Sequence, residues 1–144
     1  MKTLLPLLCC LALVTSALAG GKHTKGQRPL VISQGEQVSL ADFLVPGSIT
    51  VFVFTSEYAP LCRNYAEPLL LLHQRRTKVA VVKVDINRAV VHKVDWDSPV
   101  VQQYGVKSVP HFKVYGPDGA LLADDTNEDR PARTLVDKWL SRLE

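Results

Sequence analysis

The chain has 144 residues, of which 47% are hydrophobic and 22% charged, the composition of an ordinary globular protein with room for one domain. That balance excludes a low-complexity or highly charged disordered chain. A net charge of +3 is too small to argue for a nucleic-acid or acidic-membrane partner.

In chain order, the first expectation is a leader. Lys2, the apolar run from Leu4 to Val14 and the sequence Ala17-Leu18-Ala19 give the basic head, apolar middle and small-x-small exit of a secretory signal peptide. The run falls short of the roughly 18 apolar residues that a membrane span needs. Residues 1–19 are therefore expected to be removed, leaving an exported protein, periplasmic or secreted. Cleavage takes away Cys9 and Cys10 and leaves Cys62 alone. Exported compartments favour disulfides, yet one thiol cannot form a bridge within its own chain. It is either a buried small hydrophobe or a group that pairs with another molecule. A chain of the remaining length buries about two-thirds of its unfolded surface, so no disulfide staple is required.

Residues 20–28 (GGKHTKGQR) are Gly-rich, basic and without apolar periodicity, which predicts a flexible arm. The domain proper spans 29–144. Pro29 to Ile32 reads as a short strand, and Ser39 to Leu44 as a short helix capped by Ser39. Pro46-Gly47 marks a turn. Ile49 to Thr55 is almost continuously apolar and rich in β-formers, as a strand buried on both faces should be. Pro60 suits a first helical position, and the helix should run to about Arg76, with Arg75, Arg76 and Lys78 complementing its dipole. Pro68 should kink it. Val79 to Ile86 is a second buried strand.

Residues 87 to 97 are irregular and hold Trp96, read as packing that caps the sheet edge, with the rim of a binding groove as the alternative. Ser98-Pro99 opens a short helix, by cap and first-position logic, that ends at Tyr104-Gly105. Val109-Pro110 leads into a strand from His111 to Tyr115, and Gly116-Pro117-Asp118-Gly119 turns the chain back through Ala120 to Ala123. Ala132 to Leu143 closes as a helix with Leu135, Val136, Trp139, Leu140 and Leu143 on one face. From Ile49 onward the order β-α-β-α-β-β-α describes an α/β protein layered around a mixed sheet.

These residues carry a resemblance. A strand, then Phe54-Thr55-Ser56-Glu57-Tyr58, then the turn Ala59-Pro60-Leu61-Cys62 on a proline-bearing helix resembles the active site of the thioredoxin-like superfamily. The later Val84-Asp85 strand end, the run YGVKSVPHFKVY at 104–115, the Gly-Pro-Asp-Gly hairpin and the amphipathic last helix agree in order, over about residues 48 to 143. The resemblance implies a single-domain thioredoxin fold, a central mixed sheet flanked by helices, with a cis-proline at Pro110 beside the site. It also implies where this chain departs. Ala59 stands at the family's first cysteine and Cys62 at its second. Tyr58 replaces the usual tryptophan, and Val53 stands where many thioredoxins bury a carboxylate. The segment 87–97 lengthens the span before the Ser98 helix.

Dithiol exchange needs an attacking thiolate at the helix N-terminus and a second thiol to resolve the mixed disulfide. Ala59 removes the first, so two-cysteine turnover is excluded by inventory. One remaining reading is a redox-inactive module that binds extended polypeptide at the cis-proline loop by strand addition, with Tyr58, Val109, Pro110 and His111 as the ledge. The alternative is a monothiol oxidoreductase or redox sensor acting through Cys62 mixed disulfides with protein or peptide thiols or by glutathionylation, helped by Arg63 and by His111 across the proline. Copper-type binding by Cys62 and His111 offers too few ligands for a closed metal site, and no metal or cofactor is expected. His23, His73 and His92 read as solvent-facing, Glu57 as an exposed turn residue and Trp139 as core. The expected partners are polypeptides, with no nucleic acid and no membrane span. The expected state is a monomer, with a Cys62-linked dimer left open.

Overall fold

A computed structural model of the chain describes residues 23–143. The expected leader, residues 1–19, and residues 20–22 of the expected arm lie outside the described residues. Two runs of β-branched and aromatic residues make the centre: β2 (Ile49–Thr55), which follows the short β1 (Leu30–Ile32), and β3 (Val79–Asp85). β2 and β3 pair in parallel from Ile49↔Val79 to Thr55↔Asp85. β1 joins β3 in parallel from Leu30↔Val82. β4 (His111–Tyr115) runs antiparallel to β2, and β5 (Leu121–Asp124) antiparallel to β4, so the sheet order is β1-β3-β2-β4-β5.

Alternation along the strands sorts the core into two layers. Phe52, Phe54, Val82, Val84 and Ile86 meet Val100 and Val101 of α2 (Pro99–Tyr104) on one face. Val51, Val53, Val81, Phe112 and Val114 lie on the other, under Leu69 and Leu72 of α1 (Pro60–Arg75) and Ala132 and Val136 of α3 (Pro131–Leu140). Helices on both faces explain why β2 and β3 read as unbroken apolar runs. Each of α1, α2 and α3 starts on a proline in its first turn, where the missing N–H costs no bond. Gly105 ends α2 with φ at 61°, the left-handed conformation that glycine adopts without strain.

Several expectations are corrected. The segment after Ser39 is a 3-10 turn, Leu40–Phe43, and neither Ser39 nor Ser98 caps a helix through its side chain. α3 stops at Leu140, although Leu143 still packs into the core beyond it. His73 is not solvent-facing but only 2% exposed. Its Nδ1 accepts the N–H of Val81 at 2.9 Å, and its Nε2 donates to the carbonyl of Gly26 at 2.8 Å. The cause lies in the register: β1 begins opposite Val82, too late to pair the N–H of Val81, and the imidazole takes the vacant place. Residues 23–28, expected as a flexible arm, are held against the end of α1. Lys25 Nζ donates to the carbonyl of Arg76 at 2.6 Å, Gln74 Nε2 donates to that of Gln27 at 3.3 Å, and His23 stacks on Phe43 at 4.8 Å. Trp96 is 41% exposed. Among the described residues, no helix is long and apolar enough to cross a membrane.

Candidate functional site

The turn between β2 and α1 is tied from below. Ser56 Oγ donates to Asn87 Oδ1 at 2.7 Å and accepts the N–H of Tyr58 at 3.2 Å, while the N–H of Ala59 reaches the Ser56 carbonyl at 3.2 Å. Ala59 is thereby fixed as the N-cap of α1 in extended conformation, with no side-chain cap bond. A cap residue normally satisfies an orphan N–H of the first turn; the alanine methyl cannot. Cys62 follows in that turn as a free thiol and is only 5% exposed. Arg63 does not point its charge at a thiolate. Its Nη1 donates to the carbonyl of Glu57 at 2.9 Å. Glu57 itself is exposed, as the sequence suggests.

Tyr58 is partly buried, and its hydroxyl lies 3.2 Å from Nδ1 of the exposed His92. The loop that delivers His92 is ordered by two residues that sequence reasoning passed over. Asn87 donates from Nδ2 to the carbonyls of Val91 and Lys93 at 3.0 and 2.6 Å, and its Oδ1 accepts the N–H of Asp95 at 3.3 Å. Asp95, 3% exposed, receives Arg88 in a two-pronged contact, Nε at 2.8 Å and Nη2 at 2.9 Å. That guanidinium holds the Asp95 carboxyl below the usual carboxylate range. An Asn directly after a β-strand, followed by Arg and a later Asp, was the available signal.

Across from this turn, the Val109–Pro110 peptide is cis. Val109 is partly buried, and among the described residues neither its N–H nor its C=O makes a hydrogen bond. The carbonyl of Pro110 is occupied by Arg133 Nη2 at 2.6 Å. His111 is placed elsewhere than expected. It is 2% exposed, its ring meets Phe54 edge-on at 5.4 Å, and its Nε2 lies 3.2 Å from Asp124 Oδ1. Asp124 also receives Lys113 Nζ at 2.7 Å. Burial pushes the His111 imidazole below the ordinary histidine value, against the opposing pull of Asp124.

Cys62 borders a cavity together with Val53 and Leu69, whereas His111 sits with Phe54. Val53 and Phe54 are successive residues of one strand and face opposite ways. The sheet therefore separates His111 from Cys62, and neither assistance to the thiol nor joint metal binding follows. The backbone of His111 follows Val109 and Pro110 at the start of β4, paired with Phe54 of β2. Among the described residues, no group of three or more His, Cys, Asp or Glu is placed to hold a metal.

No protein-family model matches the sequence, and neither does any curated protein. Solved structures do match. Thioredoxin f from spinach chloroplast, in its short form, superposes with a TM-score of 0.55 at 12% identity, covering 85% of this chain and 99% of that chain. The thioredoxin of Trypanosoma brucei brucei gives 0.53 at 17% identity, over 84% and 97%. A mutant thioredoxin from Halobacterium salinarum NRC-1 gives 0.52 at 18% identity, over 85% and 96%. At such identities the likeness speaks for the fold.

Proposed function

Taking as premise that the chain has the thioredoxin fold, we propose that it is an exported polypeptide-binding module of thiol–disulfide descent that no longer performs dithiol turnover. The observation that carries this reading is the free N–H and C=O of Val109. An extended segment laid antiparallel against Val109 completes both bonds, which is strand addition and requires no sulfur. Each such bond contributes about 1 kcal/mol net, so side-chain contacts must supply most of the affinity. Tyr58, and Leu61 at 44% exposure, stand on the turn opposite. Ala59 supports the loss of turnover, because no attacking thiolate can form where a methyl group stands.

The monothiol reading keeps one supporting observation, that Cys62 borders a cavity. Its burial at 5% argues for slow exchange, since reactive thiols are accessible thiolates. A thiol-blocked extended chain, carboxymethylated insulin B chain, separates the two readings by calorimetric titration. Binding is expected to be unchanged by reductant and by Cys62→Ser, and to weaken in Val109→Pro, which removes the N–H donor. Binding that requires Cys62, together with rapid labelling of that thiol in the folded protein near neutral pH, would move the assignment to the monothiol reading.

A further inference from the structure

The cavity bordering Cys62 has a volume of ≈330 Å³, at the lower end of the range for small-ligand sites, about 300 to 1,000 Å³. It lies between α1 and the sheet edge formed by β1 and β3, and the exposed Val31 and Glu57 border it, so it opens to solvent. Strand register explains its contents. Val31, Lys83 and Val53 stand in one row across β1, β3 and β2, and Asp85 stands beside Thr55 in a following row of the same face. A strand otherwise built of valine and alanine thus turns an ammonium and a carboxylate beneath α1, both partly buried.

Charges drawn out of water are usually paired. Among the described residues no ion pair joins Lys83 to Asp85, and Lys83 has no hydrogen-bond acceptor. Asp85 accepts the N–H of Asn87 at 2.9 Å. Burial pushes its carboxyl above the usual range, and the negative charge of Glu57 adds to that effect. The cavity therefore presents the cation of Lys83 at one point and the neighbouring carboxylates of Asp85 and Glu57 at another, while Arg63, which also lines it, has its Nη1 engaged by the carbonyl of Glu57 at 2.9 Å. Apolar wall from Val31, Val53 and Leu69 lies beside both.

We propose that this cavity binds a small α-amino-acid zwitterion, its carboxylate facing Lys83, its ammonium facing Asp85 and Glu57, and a short apolar side chain against Val31, Val53 and Leu69. The site is distinct from the Val109 ledge and needs no reaction at Cys62, which serves as a built-in reporter because its thiol borders the same space.

The test uses L-norvaline, N-acetyl-L-norvaline and L-norvaline methyl ester with the wild-type protein, read by titration calorimetry and by the rate of Cys62 alkylation. Norvaline is expected to bind and to slow alkylation. Each blocked analogue should bind about tenfold more weakly or worse, as loss of one charged hydrogen bond implies. Lys83→Met should erase the discrimination against the ester, and Asp85→Asn the discrimination against the acetyl form. Failure of norvaline to give either signal at millimolar concentration overturns the proposal. So does equal binding by a blocked analogue, and both results come from the unmutated protein.

Discussion

At its C-terminal end α1 places a 2%-exposed histidine between the N–H of Val81 and the carbonyl of Gly26, with Lys25 on the carbonyl of Arg76 and Arg75 Nη1 on that of Leu143 at 2.7 Å. At its N-terminal end the same helix starts on an alanine that caps nothing, and a valine opposite leaves both backbone groups free. One end is closed by matched hydrogen bonds, of which that to Val81 is buried, and the other keeps unspent donors and acceptors. An unpaired group that water can reach costs little, whereas the same group buried costs about 1–3 kcal/mol. Stability therefore belongs with His73, and the proposed binding with Val109.

The largest expected change comes from altering the open end. Ala59→Cys restores a thiol at the N-cap, where free N–H groups and the dipole favour a thiolate. The variant should form an internal bridge with Cys62 and reduce insulin disulfides, an activity not expected of the parent. Turnover should stay below that of an ordinary two-thiol relative, since Val53 supplies no buried carboxylate for proton transfer. A variant in which both thiols titrate yet no bridge forms would break the assignment of Ala59 to the first position.

The closed end predicts a loss of stability instead. His73→Leu leaves the buried N–H of Val81 without a partner and should cost about 1–3 kcal/mol in urea unfolding, whereas the carbonyl of the exposed Gly26 can turn to water. The effect has a pH signature. Burial holds both His73 and His111 below the ordinary value of 6.5, so the folded state resists a proton that the unfolded chain accepts. Their contribution to stability is complete above about pH 6.5 and is lost as pH falls through the depressed folded values. The urea midpoint should drop across that window, and His73→Leu should flatten part of the drop. A pH profile unchanged by His73→Leu would remove His73 from this role.

Much of this molecule was legible in order along the chain. β2 and β3 announced themselves as continuous apolar runs, α1 by Pro60, and the hairpin by Gly116 to Gly119. The proposed loss of a nucleophile rests on a count of cysteines and the position of Ala59. What stayed hidden depended on which face a residue takes once strands are registered. His73 at the end of a helix reads as solvent-facing until β1 proves too short to pair Val81. His111 follows the proline directly, but its parity with Phe54 across β4 and β2 sends its ring to the face away from Cys62. Lys83 and Asp85, two apart in a valine-rich strand, carried a visible period-2 signal that they share one face. The depth of that face beneath α1 became apparent only in three dimensions.

The smallest effect is also the one whose sign is informative. Ser98 precedes Pro99 and α2, and sequence logic makes it a cap, for which replacement by alanine costs about 1 kcal/mol. In the structure its side chain makes no cap bond and its buried hydroxyl has no partner among the described residues. An unmatched hydroxyl in a dry environment is itself unfavourable. Ser98→Ala should therefore leave stability unchanged or raise it by up to about 1 kcal/mol, the reverse of the cap expectation. Thermal and urea unfolding of this single variant decide between the two. A loss comparable to a removed cap would mean that the serine turns onto the free N–H groups of α2 in solution, making this helix start closed in the manner of His73 and leaving the start of α1 as the unfinished one.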